Sequence, residues 1–383
     1  MKILHVYKDV YPPVAGGIER HIHSIRLAVP SREHDVLVCS RTRRTTYQSP
    51  GPEVSGQEVL VGQLGRIWST PIAPAFPGWL RRMARGALVH LHMPNPLSEL
   101  SSLLLAPGTP TVASYHCDIF RQRALMPLYR PLLLWCLSGA HEVVCGSESL
   151  RKTSPVLAAV KREITVIPYG IDTDHWAAGR VNPAETESLR RRYGGEYVVA
   201  VGRLVSYKGF DGLIDAAAHF SLPLVIVGDG PARPGLEDRI NTLGLSGRVF
   251  LAGPVSDAEL AVHLAAARLF VMSSVNRAES YGIAILEAQA AGLPVVVTDV
   301  GTGTSEAFAP GRSGLLVPAE SMPALIGAVN RLAGDRDLSR RMGEEGSRRV
   351  LARNSLSALG SQIGALYDRA EAAAAAAGGL RAG

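Results

Sequence analysis

Apolar residues along the chain fall into two alternating patterns. Short continuous runs at 3–6, 35–38, 88–91, 111–113, 142–145 and 164–167 read as buried strands, and the segments between them carry apolar residues at helical spacing. After a polar stretch at 177–196, part of a linker expected near 172–196, the alternation restarts with runs at 197–201, 224–227, 249–251, 269–272, 295–298 and 315–317. Strands alternating with helices favour βαβ crossovers. Each half of the chain is therefore predicted to be an α/β, doubly wound parallel sheet that binds ligands at the carboxyl ends of its strands, with a cleft between the two. Segments 337–351 and 355–370 have helical spacing, and residues 371–383, an alanine run ending in glycines, are expected to be disordered.

Composition agrees with two domains, because 383 residues exceed what one hydrophobic core ordinarily serves. A content of 46% hydrophobic and 19% charged residues excludes a disordered chain. The four cysteines, Cys39, Cys117, Cys136 and Cys145, lack close paired spacing, and Met1 leads straight into a strand, so a reducing cytosol is expected. No apolar run approaches the roughly 18 residues of a membrane span. Charge is uneven. Residues 1–178 carry 19 basic and 13 acidic side chains and residues 179–383 carry 21 of each, so the net +6 lies in the first half and suits an anionic partner such as a membrane surface. Scattered basic residues without an aromatic platform argue against nucleic acid.

Three segments carry chemistry. Gly16-Gly17 follows the first strand and opens a helix, where backbone amides can approach a phosphate, although a simple turn would use the same residues. Gly202-Arg203-Leu204-Val205-Ser206-Tyr207-Lys208-Gly209 sets two cations in a glycine-bounded loop at a strand's carboxyl end. There a guanidinium and a point charge would neutralise a diphosphate without a metal ion. Glu279-Ser280-Tyr281-Gly282-Ile283-Ala284-Ile285-Leu286-Glu287 places two carboxylates on either side of a predicted helix start near Gly282, where both can meet the hydroxyls of one ligand. Glu287 stands among Ile283, Leu286, Ala288 and Ala291, so its charge needs a partner.

With Val166-Ile167-Pro168-Tyr169-Gly170-Ile171-Asp172, Gly228-Asp229-Gly230, Gly301-Thr302-Gly303-Thr304-Ser305-Glu306 and Gly314-Leu315-Leu316-Val317-Pro318, these segments resemble the motifs of the retaining, metal-independent glycosyltransferases of family 4. The resemblance covers nearly the whole chain. It implies the GT-B fold, with an acceptor-side Rossmann-like domain over 1–175, a nucleotide-sugar donor domain over 176–354, and a helix at about 355–370 returning to the first domain. By similarity Arg203 and Lys208 hold the donor diphosphate, Glu287 the ribose hydroxyls and Glu279 those of the sugar. Backbone around Ser280, Tyr281, Gly282 and Ile283 completes the contacts, Gly16 and Gly17 cap the site, and His116 of Tyr115-His116-Cys117-Asp118 meets the sugar. The catalytic set is then His116, Glu279, Arg203 and Lys208, with no cofactor and no metal ion, the sugar nucleotide being a substrate. The chain departs from the family in having Pro231-Ala232-Arg233-Pro234-Gly235 after Gly228-Asp229-Gly230, and Gly301-Thr302-Gly303 where Gly-Gly is commoner.

The segments 115–122 and 127–132 look like bacterial polysaccharide mannosyl- and rhamnosyltransferases of the family. That resemblance implies GDP-mannose as donor, with a UDP-hexose as the alternative, and a polyprenyl-diphosphate-linked or other glycan as acceptor. A sugar-nucleotide epimerase or phosphorylase of the same architecture, or a non-catalytic nucleotide-sugar binder, are the other readings. His90 and His92 share a strand face and could hold a metal ion with His116, but no supporting pattern accompanies them, and His5, His21 and His23 read as structural or surface residues. The 79–88 segment, with Arg81, Arg82 and Arg85, and Arg121-Gln122-Arg123 ahead of an apolar stretch have the pattern of an interfacial helix, as would an ordinary amphipathic one. Together with the charge asymmetry they suggest a peripheral position at the inner face of the cell membrane.

Overall fold

The computed structural model describes residues 1–14, 16–67, 70–119 and 125–382, with side chains through 377. The chain forms two compact units, one of Met1–Gly170 with Leu356–Gly383 and one of Ile171–Ser355.

The first unit holds β1 (Lys2–Val6), β2 (His34–Cys39), β3 (Thr46–Gln48), β4 (Glu58–Val61), β5 (Gly65–Ile67), β6 (Thr70–Ile72), β7 (Ala87–Met93), β8 (Thr111–Tyr115), β9 (Glu142–Cys145) and β10 (Ile164–Val166). Its helices are α1 (Gly17–Ala28), α2 (Phe76–Met83), α3 (Pro96–Ser102), α4 (Met126–Gly139) and α5 (Glu148–Thr153). One sheet runs in the order β10-β9-β8-β7-β1-β2-β4-β3, parallel except for β3, and β5 pairs antiparallel with β6. Alternate residues serve opposite faces. Leu4, Leu37, Val89 and Ala113 meet Phe76, Leu80, Leu133 and Leu137 of α2 and α4, while Ile3, Leu88 and Val112 look the other way, toward Ile25 of α1.

All six apolar runs predicted in this half are strands. β3 to β6 are additional: β3 is exposed along its length and no apolar run marks it, while β4 carries the unpredicted short run Val59-Leu60-Val61 behind a charged residue. That residue, Glu58, is buried and receives the Arg26 guanidinium of α1 at 2.5 Å. The helix expected over 79–88 stops at Met83, because Ala87 already begins β7. Arg121, Gln122 and Arg123 lie outside the described residues.

The second unit holds α6 (Thr173–Trp176), α7 (Pro183–Tyr193), β11 (Val198–Val201), α8 (Phe210–Ala217), β12 (Leu224–Val227), α9 (Arg233–Thr242), β13 (Val249–Gly253), α10 (Asp257–Ala266), β14 (Leu269–Met272), α11 (Ile283–Ala290), β15 (Val295–Asp299), β16 (Gly314–Pro318), α12 (Met322–Gly334) and α13 (Arg336–Asn354). Its sheet is wholly parallel in the order β13-β12-β11-β14-β15-β16. The polar 177–196 stretch is largely a helix rather than a linker. Asn182 caps the Ala184 N–H, Pro183 opens the first turn, and Gly194 closes α7 with φ of 82°.

The last helix, α14 (Leu356–Ala382), belongs to the first unit, where Leu359, Ile363, Leu366 and Tyr367 join the Ile3 and Ile25 cluster. Disorder over 371–383 is not observed through Ala382. Alanine has the highest helix propensity, Ala374 is buried, and Glu371 pairs with Arg32. Among the described residues no helix is long and apolar enough to cross a membrane.

Candidate functional site

In an open parallel sheet a crevice forms where neighbouring strands connect onward to opposite sides. In the second unit β11 has β12 on one side and β14 on the other. The loops leaving β11 and β14, residues 202–209 and 273–282, therefore emerge side by side, and they are the two segments that carry the predicted donor chemistry. They are stitched together by the Val275 N–H donating to the Tyr207 carbonyl (2.9 Å) and the Ser273 hydroxyl donating to the Lys208 carbonyl (2.9 Å). Gly209 permits the approach: its φ is +66°, and a Cβ there would lie 2.3 Å from the Ser273 carbonyl oxygen.

This juxtaposition brings Lys208 to Glu279, Nζ to Oε2 at 2.5 Å, with side chains 13% and 10% exposed. Burial disfavours the ammonium, but the carboxylate beside it, with a smaller contribution from Glu287, holds the Lys208 pKa above the ordinary lysine value. Glu279 is fixed from two further directions. Its carboxylate accepts the Ser274 hydroxyl (3.2 Å), and its carbonyl accepts the Thr302 hydroxyl (2.8 Å). Helix α11 begins at Ile283 after Gly282, so Glu279 precedes the helix and Glu287, buried at 5% exposure, stands inside it. The Ser280 carbonyl accepts the Gly303 N–H (3.0 Å), and Tyr281 is buried with its hydroxyl accepting from Asn354 (3.5 Å), burial pushing its pKa up to about 12. Arg203 is exposed, and no ion pair of its guanidinium occurs among the described residues.

In the first unit the loop after β1 reaches Gly16, the N-cap of α1, and Gly17, its first residue. Glu19 in the first turn is buried, and desolvation raises its carboxyl pKa. His116 follows β8 and is 3% exposed, with Nε2 at 3.0 Å from His92 Nδ1 and Nδ1 at 2.9 Å from the Tyr169 hydroxyl. Burial, with smaller contributions from His21 and His90, holds its pKa well below the usual range. His21, one turn into α1, packs edge-on to the His116 ring at 5.6 Å. Among the described residues, the candidate metal group is His5, His90 and His92, whose nitrogens lie within 4.8 Å of one another; His116 is not part of it.

The structure thus gathers Lys208, Glu279, Glu287, Ser280, Tyr281, Gly282 and Ile283 in one unit, and Gly16, Gly17 and His116 in the other. Sequence reasoning missed Ser274, Thr302, Glu19 and Tyr169. Thr302 was nonetheless flagged: it occupies the departure from Gly-Gly, and its hydroxyl braces the Glu279 backbone.

Comparison with known proteins bears on both units. The family described as Glycosyltransferase Family 4 matches residues 15–175, and Glycosyl transferases group 1 matches residues 182–349. O-antigen chain mannosyltransferase C of Escherichia coli is 31% identical over 355 residues, covering 91% of this chain and 93% of that protein. The chain belongs to the GT-B glycosyltransferases. A second relative of this glycosyltransferase, D-rhamnosyltransferase WbpZ of Pseudomonas aeruginosa, is 34% identical over 331 residues, 85% of this chain and 84% of that one. Sucrose-phosphate synthase from Thermosynechococcus elongatus shares the glycosyltransferase's fold with a TM-score of 0.79 at 22% identity, covering 97% of this chain and 99% of that chain.

Proposed function

We propose that this glycosyltransferase transfers mannose from GDP-mannose, with retention of configuration and without a metal ion, to a polyprenyl-diphosphate-linked glycan during cell-surface polysaccharide synthesis. The observation that carries the donor side is the Lys208–Glu279 pair at the switch point of the second sheet. Lys208 would exchange its carboxylate partner for the donor diphosphate, joined by the exposed Arg203, and the released Glu279 carboxylate would accept sugar hydroxyls while Glu287 accepts those of the ribose. Leaving-group charge would then be met by the pre-positioned Lys208 and by Arg203 as the bond to the sugar breaks. Ser280, Tyr281, Gly282 and Ile283 would supply backbone contacts, Gly16 and Gly17 would cap the donor, and His116 would complete the sugar site.

The sugar choice is supported by the names of the two relatives, since D-rhamnose is 6-deoxymannose and shares mannose's axial 2-hydroxyl. A lipid-linked acceptor at the inner membrane face is supported by the basic first half and by α4, where Leu128, Pro131 and Trp135 recur at helical spacing, with Leu128 84% and Trp135 52% exposed. A thermal-shift panel decides the nucleotide, because only binding to the folded state raises the melting temperature. GDP is expected to stabilise the protein; stabilisation by UDP but not GDP replaces the donor with a UDP-hexose. Labelled GDP-mannose with and without a polyprenyl-linked glycan separates transfer from epimerase or phosphorylase chemistry, and absence of binding to anionic vesicles at any salt concentration ends the membrane assignment.

A further inference from the structure

A set of buried histidines in the first unit has no part in the reading above beyond its last member. His34 opens β2, His5 lies on β1, His92 on β7 and His116 just past β8; the first three are 0% exposed and His116 3%. The register explains how they meet. His34 is paired with Ile3, so His5 is two residues further along; His5 is paired with His90, so His92 is two further; His92 is paired with Ser114, so His116 is two further. A step of two residues at each strand crossing keeps every side chain on one face of the sheet while moving toward the carboxyl ends of the strands.

The rings are joined head to tail. His34 Nε2 lies 2.9 Å from the Val29 carbonyl oxygen, His34 Nδ1 3.0 Å from His5 Nε2, His5 Nδ1 3.1 Å from His92 Nε2, His92 Nδ1 3.0 Å from His116 Nε2, and His116 Nδ1 2.9 Å from the Tyr169 hydroxyl. A carbonyl only accepts, so His34 donates through Nε2. A neutral imidazole that donates at one nitrogen accepts at the other. Each following ring therefore donates through Nε2 and accepts through Nδ1, ending with Tyr169 donating to His116. Reversing the chain would set two acceptors, the bare His34 Nε2 and the Val29 carbonyl, against each other. Tyr169 reaches His116 across Gly146, where a Cβ would lie 2.2 Å from the tyrosine ring.

We propose that His34, His5 and His92 are positioning residues that lock His116 into a single tautomer, Nε2–H directed into the core and Nδ1 bare, through a hydrogen-bond chain whose direction is set by the Val29 carbonyl. Burial favours a lock over a proton shuttle. It holds the His34 pKa down to about 4, and those of His5, His92 and His116 well below the usual range, with Arg26, His21 and His90 as neighbours that further oppose charge. His90 stands beside the chain, bonded to Tyr367 and Ser114. Every ring nitrogen of His5, His90 and His92 has a protein partner, so a metal ion among them would have to break the chain.

The lock itself is independent of the proposed function; only its effect on turnover rests on the role assigned to His116. The test is long-range proton–nitrogen correlation spectroscopy of the full chain labelled with 15N-histidine. The expected result is four neutral Nε2–H rings, unchanged between pH 7 and pH 5.5. His34→Leu removes the anchor and is expected to leave His116 in mixed tautomers. His34→Gln, which retains one acceptor and one donor, restores the single state. Tyr169→Phe leaves it intact, because the opposite end sets the direction. His34→Leu is expected to lower kcat by up to about 10²-fold, the scale for a catalytic group misplaced from a distance, with donor KM unchanged and kcat rescued in His34→Gln. An Nδ1–H tautomer at His116 in the parent protein, an unchanged tautomer in folded His34→Leu, or a stoichiometric bound transition metal overturns the lock. The expected tautomers with parental kcat in His34→Leu uphold the lock and overturn its part in the reaction. Should His34→Leu fail to fold, the spectra of the parent and Tyr169→Phe decide.

Discussion

Replacing Lys208 by methionine strikes both the stability and the chemistry assigned to the donor loops. The ammonium lies 2.5 Å from Glu279 Oε2 and the carboxylate side chain is 10% exposed, so the substitution strands a charge that is nine-tenths buried. Breaking a buried pair from one side costs about 3–5 kcal/mol. Glu279 keeps the Ser274 hydroxyl at 3.2 Å, which places the expected cost near the lower end, about 3 kcal/mol. At roughly 2–4 °C per kcal/mol for a unit of this size, the melting temperature should fall by about 6–12 °C. Turnover should fall by about 10²-fold or more, the scale for loss of one donor to developing charge. Adding Glu279→Gln to Lys208→Met removes the stranded charge and should recover most of the melting loss and none of the activity. Calorimetry and release of labelled product from GDP-mannose read the two effects separately. Parental turnover in Lys208→Met removes Lys208 from the diphosphate site, and a parental melting temperature shows that the pair carries no net stabilisation.

Three further outcomes are expected. Glu99 is fully buried, accepts the Asn95 N–H at 2.9 Å, and has its pKa pushed by burial from 4.5 up to about 7. Such a raised carboxyl favours the native state fully below pH 4.5 and loses that contribution as pH rises through about 7. Glu99→Gln should thus gain about 3 kcal/mol over the parent above pH 7 and nothing at pH 4.5; equal urea midpoint shifts at both pH values would sink the assignment. Glu58→Ala strands the Arg26 guanidinium, 1% exposed, and should cost about 3–5 kcal/mol, whereas Arg26→Met with Glu58→Leu should recover most of it, since Arg26 Nε, Arg26 Nη2 and Glu58 Oε2 already lack a hydrogen-bond partner among the described residues; a double variant as unstable as the single contradicts this. Gly209→Ala forces a left-handed alanine and a clash with the Ser273 carbonyl, so the nucleotide-dependent thermal shift should disappear while far-ultraviolet dichroism stays native, and an undiminished shift would show that the loop tolerates the side chain.

The legible parts of this molecule are those whose chemistry is local. Strands of a parallel sheet are covered on both faces, so each core strand announces itself as an apolar run, β4 included through the short Val59-Leu60-Val61 that went unpredicted, while β3, an exposed antiparallel edge, does not. The 202–209 and 279–287 motifs are equally local, because glycine and charge within ten residues define a loop that can meet phosphate or hydroxyls. Their pairing is not local: Lys208 meets Glu279 only because β14 inserts beside β11, a fact of strand order that neither motif contains. The histidine chain lies further still from what a sequence displays. His90 and His92 disclose a shared face by their spacing, but His34 and His5 come from two other strands and His116 from just past a third, and a shift of one residue in the pairing of β1 with β7 would turn His5 away from His92 altogether. The direction of that chain depends on one backbone carbonyl at Val29, a group every residue carries and no sequence pattern marks. What positions His116 is thus a property of register and topology, and substitutions that shift β1 against β7 should disturb its tautomer even where no histidine is changed.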